Sequence, residues 1–295
     1  MVAGGEQPDD GDARGGDRPE RSAIGTLFVV STPIGNLRDI TLRAIDVLRS
    51  VDVILAEDTR HSRHLLDHHG IPTRLVSYHE HNEARATESA IARLREGRDV
   101  ALISDAGTPL LSDPGARIVR AAAEAGILVV PVPGPSALLA ALVSSGLESD
   151  RFTFFGFLAR KGREREDALR ALSSLRHTGV LYEAPNRVAT TLAELVERGA
   201  GDRRVVVARE LTKQFEEVRR GTVVELAAYY ESAPPRGEVV IVLEGGTVQP
   251  LGEDELRSRV RTLRAAGLSA RDVAAALVRE DGASRNLAYR LAHEA

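Results

Sequence analysis

The sequence predicts an α/β protein, with a mostly parallel sheet in its first half and a mixed sheet in its second. Three observations carry this reading. Between residues 26 and 145, short apolar runs alternate with stretches of helical spacing, the pattern of strand–helix–strand crossovers. Three of those runs end in loops rich in glycine and proline, where the backbone can approach a ligand closely. Near 146–151 the pattern changes, and the strand-like runs that follow are aromatic or end in charge. The chain has 295 residues, long enough for two domains and a sizeable core.

The elements follow in order. Residues 1–23 are Gly-, Asp- and Pro-rich and read as a disordered tail. Thr26–Ser31 is a buried strand that runs into Thr32-Pro33-Ile34-Gly35-Asn36-Leu37, and Ile40–Leu48 has helical spacing. Val51–Ala56 is a second strand, followed directly by Glu57-Asp58-Thr59-Arg60-His61. Charges at a strand end are costly to bury unless paired or used. His61, His64 and His68 share one helical face, but there is no His-Glu-x-x-His pattern, so the face reads as solvated or RNA-facing and no metal is expected. Leu75–Tyr78 leads to His79-Glu80-His81-Asn82-Glu83 and a helix, Ala84–Arg95.

The centre of the first half is Val100–Gly115. A buried strand, Val100–Ile103, ends in Ser104-Asp105-Ala106-Gly107-Thr108-Pro109, and a turn, Ser112-Asp113-Pro114-Gly115, precedes the helix Ala116–Ala125. Leu128–Val132 then enters Pro133-Gly134-Pro135-Ser136, ahead of the helix Ala137–Ser144. The N-terminal domain is expected over 24–145.

The second domain is expected over 146–248. It holds an aromatic strand at Phe152–Leu158, a basic turn with Arg160, Lys161 and Arg163, and a helix at Glu164–Leu175. Strands at Gly179–Tyr182, Val205–Ala208, Gly221–Val224 and Glu238–Leu243 complete it, with a helical stretch around Glu225–Ser232. Residues 250–295 read as a helical appendix. Glu253–Ala266, a helix capped by Ser269, and Arg285–Ala295 resemble a helix-turn-helix, or equally a small three-helix packing module.

Composition narrows the function classes. No cysteine is present, which excludes disulfides, thiolate catalysis and cysteine metal sites. No apolar run reaches ~18 residues, and the polar start of the chain is unlike a signal peptide. No membrane partner and a cytoplasmic location are expected. The tail holds most of the net charge of −4, so the body is near neutral and any RNA contact must use local basic patches. P-loop, Gly-x-Gly-x-x-Gly and Gly-x-Ser-x-Gly motifs are all missing where their folds require them. Of 39 basic residues only Lys161 and Lys213 are lysine, and arginine cannot shed its proton in a protein.

Eight segments go further. Thr32–Leu37, Glu57–His61, Ser77–Glu83, Ser104–Pro109, Pro133–Ala137, Gly156–Leu158 with Arg160-Lys161, Tyr182–Arg187 and Ala208–Lys213 occur in one order across residues 26–245. Together they closely resemble the ribosomal RNA small-subunit methyltransferase I family of the tetrapyrrole methylase superfamily. Asn186 stands where many relatives have His. The resemblance implies a two-domain tetrapyrrole-methylase-like fold, with S-adenosyl-L-methionine (SAM) held in the cleft between the domains. It implies 2′-O-methylation of a cytidine ribose in the decoding region of 16S rRNA, by a homodimer as in the fold's relatives; a target that must be flipped and a weakly charged protein make the 30S subunit the expected substrate.

Carried over by motif, the donor contacts are Pro33, Asp105, Ala106, Gly107, Thr108, Pro133, Ser136, Tyr182 and Glu183, with Asp105 the carboxylate for the sulfonium. The ribose hydroxyl is a weak acid, so a base should help. Lys161 and Lys213 are the first candidates, and either would need a lowered pKa. Glu183 and His79 are the alternatives. Arg60, Arg160, Arg163 and Arg187 are candidates for phosphate contacts, with His61, His81 and Asn82 as further RNA-binding residues. Two other readings share the fold: a C-methyltransferase acting on a precorrin-like macrocycle, and a non-catalytic ribosome-binding factor.

Overall fold

The computed structural model describes residues 24–246 and 252–294. The tail expected over 1–23 lies outside them. The chain divides into two compact units, the first ending at Ser136 and the second beginning at Ala137.

The first unit contains β1 (Leu27–Val30), α1 (Leu42–Ser50), β2 (Val53–Ala56), α2 (Thr59–His68), β3 (Leu75–Ser77), α3 (Glu83–Arg95), β4 (Val100–Ile103), α4 (Ala116–Glu124) and β5 (Val129–Val132). Its sheet has the order β3-β2-β4-β1-β5, and every pairing is parallel. Such a sheet must bury both faces, which is why β2 and β4 are apolar throughout. On one face Val30, Ile54, Ala101 and Ile103 pack with Ala44 and Leu48 of α1 and Leu65 and Leu66 of α2. On the other, Leu27, Val53, Val100 and Leu102 pack with Ala90 and Leu94 of α3 and Ile118 and Ala122 of α4.

This order fixes where a ligand can sit. From β1 the chain moves towards β2, and from β4 it moves the other way, towards β5. β1 and β4 are neighbours whose connections leave in opposite directions, the topological switch point at which open α/β sheets bind ligands.

The second unit contains α5 (Ala137–Ser145), β6 (Phe152–Phe157), α6 (Arg163–Ser174), β7 (Thr178–Glu183), α7 (Val188–Leu195), β8 (Arg204–Arg209), β9 (Glu217–Thr222), α8 (Val223–Ser232), β10 (Val239–Leu243), α9 (Glu253–Ala265), α10 (Ala270–Asp281) and α11 (Arg285–Glu294). Its sheet runs β6-β7-β10-β8-β9, with only the β6–β7 pairing parallel. The carboxyl ends of β6, β7 and β8 therefore share one edge. Residues 137–145, expected at the end of the first domain, pack as α5 on β7, β9 and β10 of this unit.

One strand lies elsewhere than the sequence predicts. Gly221–Val224 is not a strand of its own. β9 ends at Thr222, and Val223 already belongs to α8. A capping box starts the helix there: Thr222 Oγ1 accepts from the Glu225 N–H at 3.3 Å, and Glu225 Oε2 accepts from the Thr222 N–H at 2.8 Å. The last three helices build a small core from Leu256, Val260, Val273, Leu277 and Leu291. No helix among the described residues is long and apolar enough to cross a membrane.

Candidate active site

In the first unit the loops that follow β1 and β4 are locked together. Thr32 and Gly107 exchange both backbone hydrogen bonds, at 2.9 and 3.0 Å, and the Thr32 hydroxyl donates to the Ser104 carbonyl at 3.0 Å. Gly107 has φ +82°, and a Cβ there would lie 3.3 Å from Ile34 Cγ2. Only glycine makes this crossing without strain. A second tie joins three loops. The Thr108 hydroxyl, 3.1 Å from Ser31 Oγ, donates to the Pro135 carbonyl at 3.1 Å. Pro33, Gly107 and Ser136 are buried, Asp105 and Thr108 are half-buried, and Ala106 and Pro133 are exposed. Seven of the predicted donor contacts thus line one strand edge.

Beside them lies a carboxylate cluster. Asp105 Oδ1 accepts from the Asp58 N–H at 3.0 Å, where Asp58 caps α2. Burial and then the Asp105 charge push the Glu57 pKa up, against a pull from His79. Asp113 is pushed up to about 6 by burial, then by the charges of Glu57 and Asp105. The chain returns Asp113 to this spot through two left-handed residues, Leu110 at φ +74° and Ser112 at φ +73°. Such conformations are uncommon for residues other than glycine and gather at functional sites.

The raised Asp113 pKa has a stability consequence. The folded chain holds that proton more tightly than the unfolded one. Stability is therefore lost as pH rises from the ordinary aspartate value towards about 6, and the cost persists above it. Asp113→Asn is expected to stabilise the protein at pH 8 by about 1 kcal/mol, allowing for solvent screening at a half-exposed site, and by less at pH 4. Thermal unfolding at the two pH values checks this, and an equal shift at both would refute it.

His79 is half-buried, and its Nδ1 has no hydrogen-bond partner. Asn82 is engaged within its own loop: Oδ1 accepts from the His79 N–H at 2.9 Å, and Nδ2 donates to the Ser77 carbonyl at 3.0 Å. His81 and His61 are exposed, as are His64 and His68. Arg60 is 92% exposed and pairs with Asp58 at 3.6 Å. Among the described residues no group of three His, Asp or Glu side chains is arranged to hold a metal ion.

In the second unit Glu183 and Tyr182 lie at the end of β7, with side chains on opposite faces. Glu183 is fully buried. It accepts from Thr191 Oγ1 at 2.6 Å and from the Ala184 N–H at 2.8 Å, and it pairs with Arg187. Arg165, 6% exposed, stands 3.9 Å away and also pairs with Glu194. Fully buried and held by Thr191, Ala184 and Arg187, this carboxylate is shielded from a ribose hydroxyl, so the geometry favours Glu183 as an anchor over a base. The same contacts take Arg187 out of the phosphate candidates, since it is spent on Glu183 and on the Leu158 carbonyl at 3.1 Å.

Lys213 is also corrected. A base role needs a lowered pKa, and here it is raised. Burial pulls it down, but hydrogen bonds and charge from Glu210 and Glu238, at 3.0 and 3.2 Å, outweigh that pull. Arg160, Lys161 and Arg163 stand exposed on the turn into α6.

A model of the tetrapyrrole (corrin/porphyrin) methylases matches residues 26–227. A ribosomal RNA small subunit methyltransferase I from Synechocystis sp. is 45% identical over 274 residues, covering 92% of this chain and 98% of that protein. The chain belongs to the ribosomal RNA small subunit methyltransferase I family. Another member, from Mesorhizobium japonicum, is 52% identical over 224 residues, 76% of each chain. Among solved structures, uroporphyrin-III-C-methyltransferase from Thermus thermophilus superposes with a TM-score of 0.54 at 25% identity, covering 75% of this chain and 94% of that one. Members of the family use SAM as methyl donor.

The donor fits the residues present. A sulfonium and an α-ammonium group are cations, and Asp105, Glu57 and Asp113 offer carboxylates that make no ion pair with arginine or lysine among the described residues. Asp113 and Glu57 were not among the predicted contacts. Their signal was faint: an Asp-Pro-Gly turn and a charged strand end, distant in sequence.

Proposed function

We propose that the chain transfers a methyl group from SAM to the 2′-hydroxyl of a cytidine ribose in 16S rRNA. The observation that carries the reading is the 45% identity over 92% of the chain to a small-subunit rRNA methyltransferase, with the donor-loop motifs intact. The proposal extends to the 30S subunit as substrate, the cytoplasm as location, and a homodimer as the working form.

Pro33, Asp105, Ala106, Gly107, Thr108, Pro133 and Ser136, all of the first unit, would hold the donor. When bound, SAM supplies a methyl group on a positively charged sulfur. The interlocked Thr32 and Gly107 hold the loop backbone still, so little ordering remains to be done on binding. The carboxylates balance the ligand's positive charge. His79, with an unpartnered ring nitrogen, and the exposed Lys161 remain as candidates to take the ribose proton. Arg60, Arg160 and Arg163, with His61 and His81, are exposed and could meet phosphates, Arg60 and Arg163 in exchange for weak surface pairs with Asp58 and Asp167.

The test is transfer of labelled methyl to 30S subunits that lack the modification, with ribose methylation mapped by resistance of the backbone to alkali. Label at a single cytidine is expected, with little on protein-free rRNA. Label on a macrocycle instead of RNA would select the C-methyltransferase reading. Donor binding without transfer to either would overturn both.

A further inference from the structure

β6 ends in a local irregularity with a clear geometric effect. Phe154 pairs with Val180 and Phe157 with Tyr182, so three residues of β6 advance where β7 advances two. This is a β-bulge, and Gly156 adopts φ +62° within it. Regular alternation would send residues three apart to opposite faces. The bulge instead returns Phe157 to the face that carries Phe154. Both rings pack against Tyr182, at centroid distances of 5.4 and 4.9 Å.

Phe157 nevertheless stays 58% exposed. Its ring is braced on one side and open on the other. Close by in the chain, Arg160 and Lys161 are exposed and make no ion pair among the described residues, while Arg163 reaches Asp167 at 3.6 Å. Exposed aromatic area beside unneutralised cations matches an unpaired nucleotide. A base offers a π-face to stack, and its neighbouring phosphates offer charge. Paired RNA hides those faces within its own stack, and an apolar protein patch would leave the cations unanswered.

We propose that Phe157 is a stacking platform for an unpaired base of the RNA substrate, with Arg160 and Lys161 holding the adjoining phosphates. The proposal rests on the rRNA reading above and deepens it by naming a positioning residue of the second unit. Phe157 would act by holding a base and not by touching the reacting atoms.

The test uses the full chain as wild type, Phe157→Ala and Phe157→Trp. A short single-stranded RNA carrying 2-aminopurine reports stacking through fluorescence quenching. Phe157→Ala is expected to weaken RNA binding about 10- to 100-fold and to abolish the quench, and Phe157→Trp to keep both. SAM affinity, measured by calorimetry, should not change. With 30S subunits, KM should rise while kcat holds. The side chain is largely exposed, so the urea midpoint should stay put. RNA binding by Phe157→Ala within twofold of wild type would overturn the platform, as would a loss of SAM affinity in its place or a wild type that binds no single-stranded RNA. A wild type that methylates no 30S subunit, yet shows the same quench and the same loss in Phe157→Ala, would keep the platform and overturn the rRNA methylation reading.

Discussion

Glu183→Ala is expected to destabilise the protein by about 3–5 kcal/mol, the usual cost of breaking a buried ion pair from one side. The Glu183 carboxylate is completely buried and pairs with Arg187, with Arg165 at 3.9 Å. Removing it leaves the Arg187 guanidinium, about one-fifth exposed, without a counter-charge, and strips Thr191 and the Ala184 N–H of their acceptor. Arg165 keeps Glu194, which limits the damage at that end. Glu183→Gln should cost less, because an amide oxygen can still accept from Thr191 or Ala184. Urea unfolding measures both, with an unchanged slope expected. A stable Glu183→Ala protein that had lost only its activity would return Glu183 to the list of bases.

Asp105→Asn is expected to weaken SAM binding about 10- to 100-fold, the range for a lost charge-assisted interaction. The amide keeps the shape of the side chain and can still accept from the Asp58 N–H, so the loop should stand. The change removes charge alone. The thioether product carries no charge on sulfur, so its affinity should fall less than that of the sulfonium donor. Calorimetry on both ligands reads the difference. Equal losses would show that Asp105 holds the loop and not the cation.

The sequence made the first sheet easy to read. Its inner strands β2 and β4 are apolar throughout because both faces are covered, and its binding loops are punctuated by glycine and proline, whose backbone demands are local. Gly107 is such a case: its φ of +82° is written into the residue type. The carboxylate cluster was harder, since no local rule says that Glu57, Asp105 and Asp113 converge. That depends on β4 lying beside β2. Glu183 was a candidate by motif and Lys213 by the scarcity of lysine, and neither signal reveals a partner distant in the chain, Arg165 for the one and Glu238 for the other. Arg165 sits in the charge-rich first turn of α6, yet it is buried. The bulge at Gly156 did have a mark in the sequence, a lone glycine inside a strand run, but which side chains it re-aims depends on the register with β7.

The central place of β4 shapes how the protein must be made. β1 is synthesised long before both of its neighbours, β4 and β5. A nascent chain therefore carries Leu27–Val30 with two open edges until Val100–Ile103 has been synthesised. Open apolar edges invite pairing with other chains, and such distant partners close slowly. Thr32 can meet Gly107 only after that closure. Assembly of the donor loops is thus a late event in the birth of the molecule, and a chain still folding cannot sequester the donor.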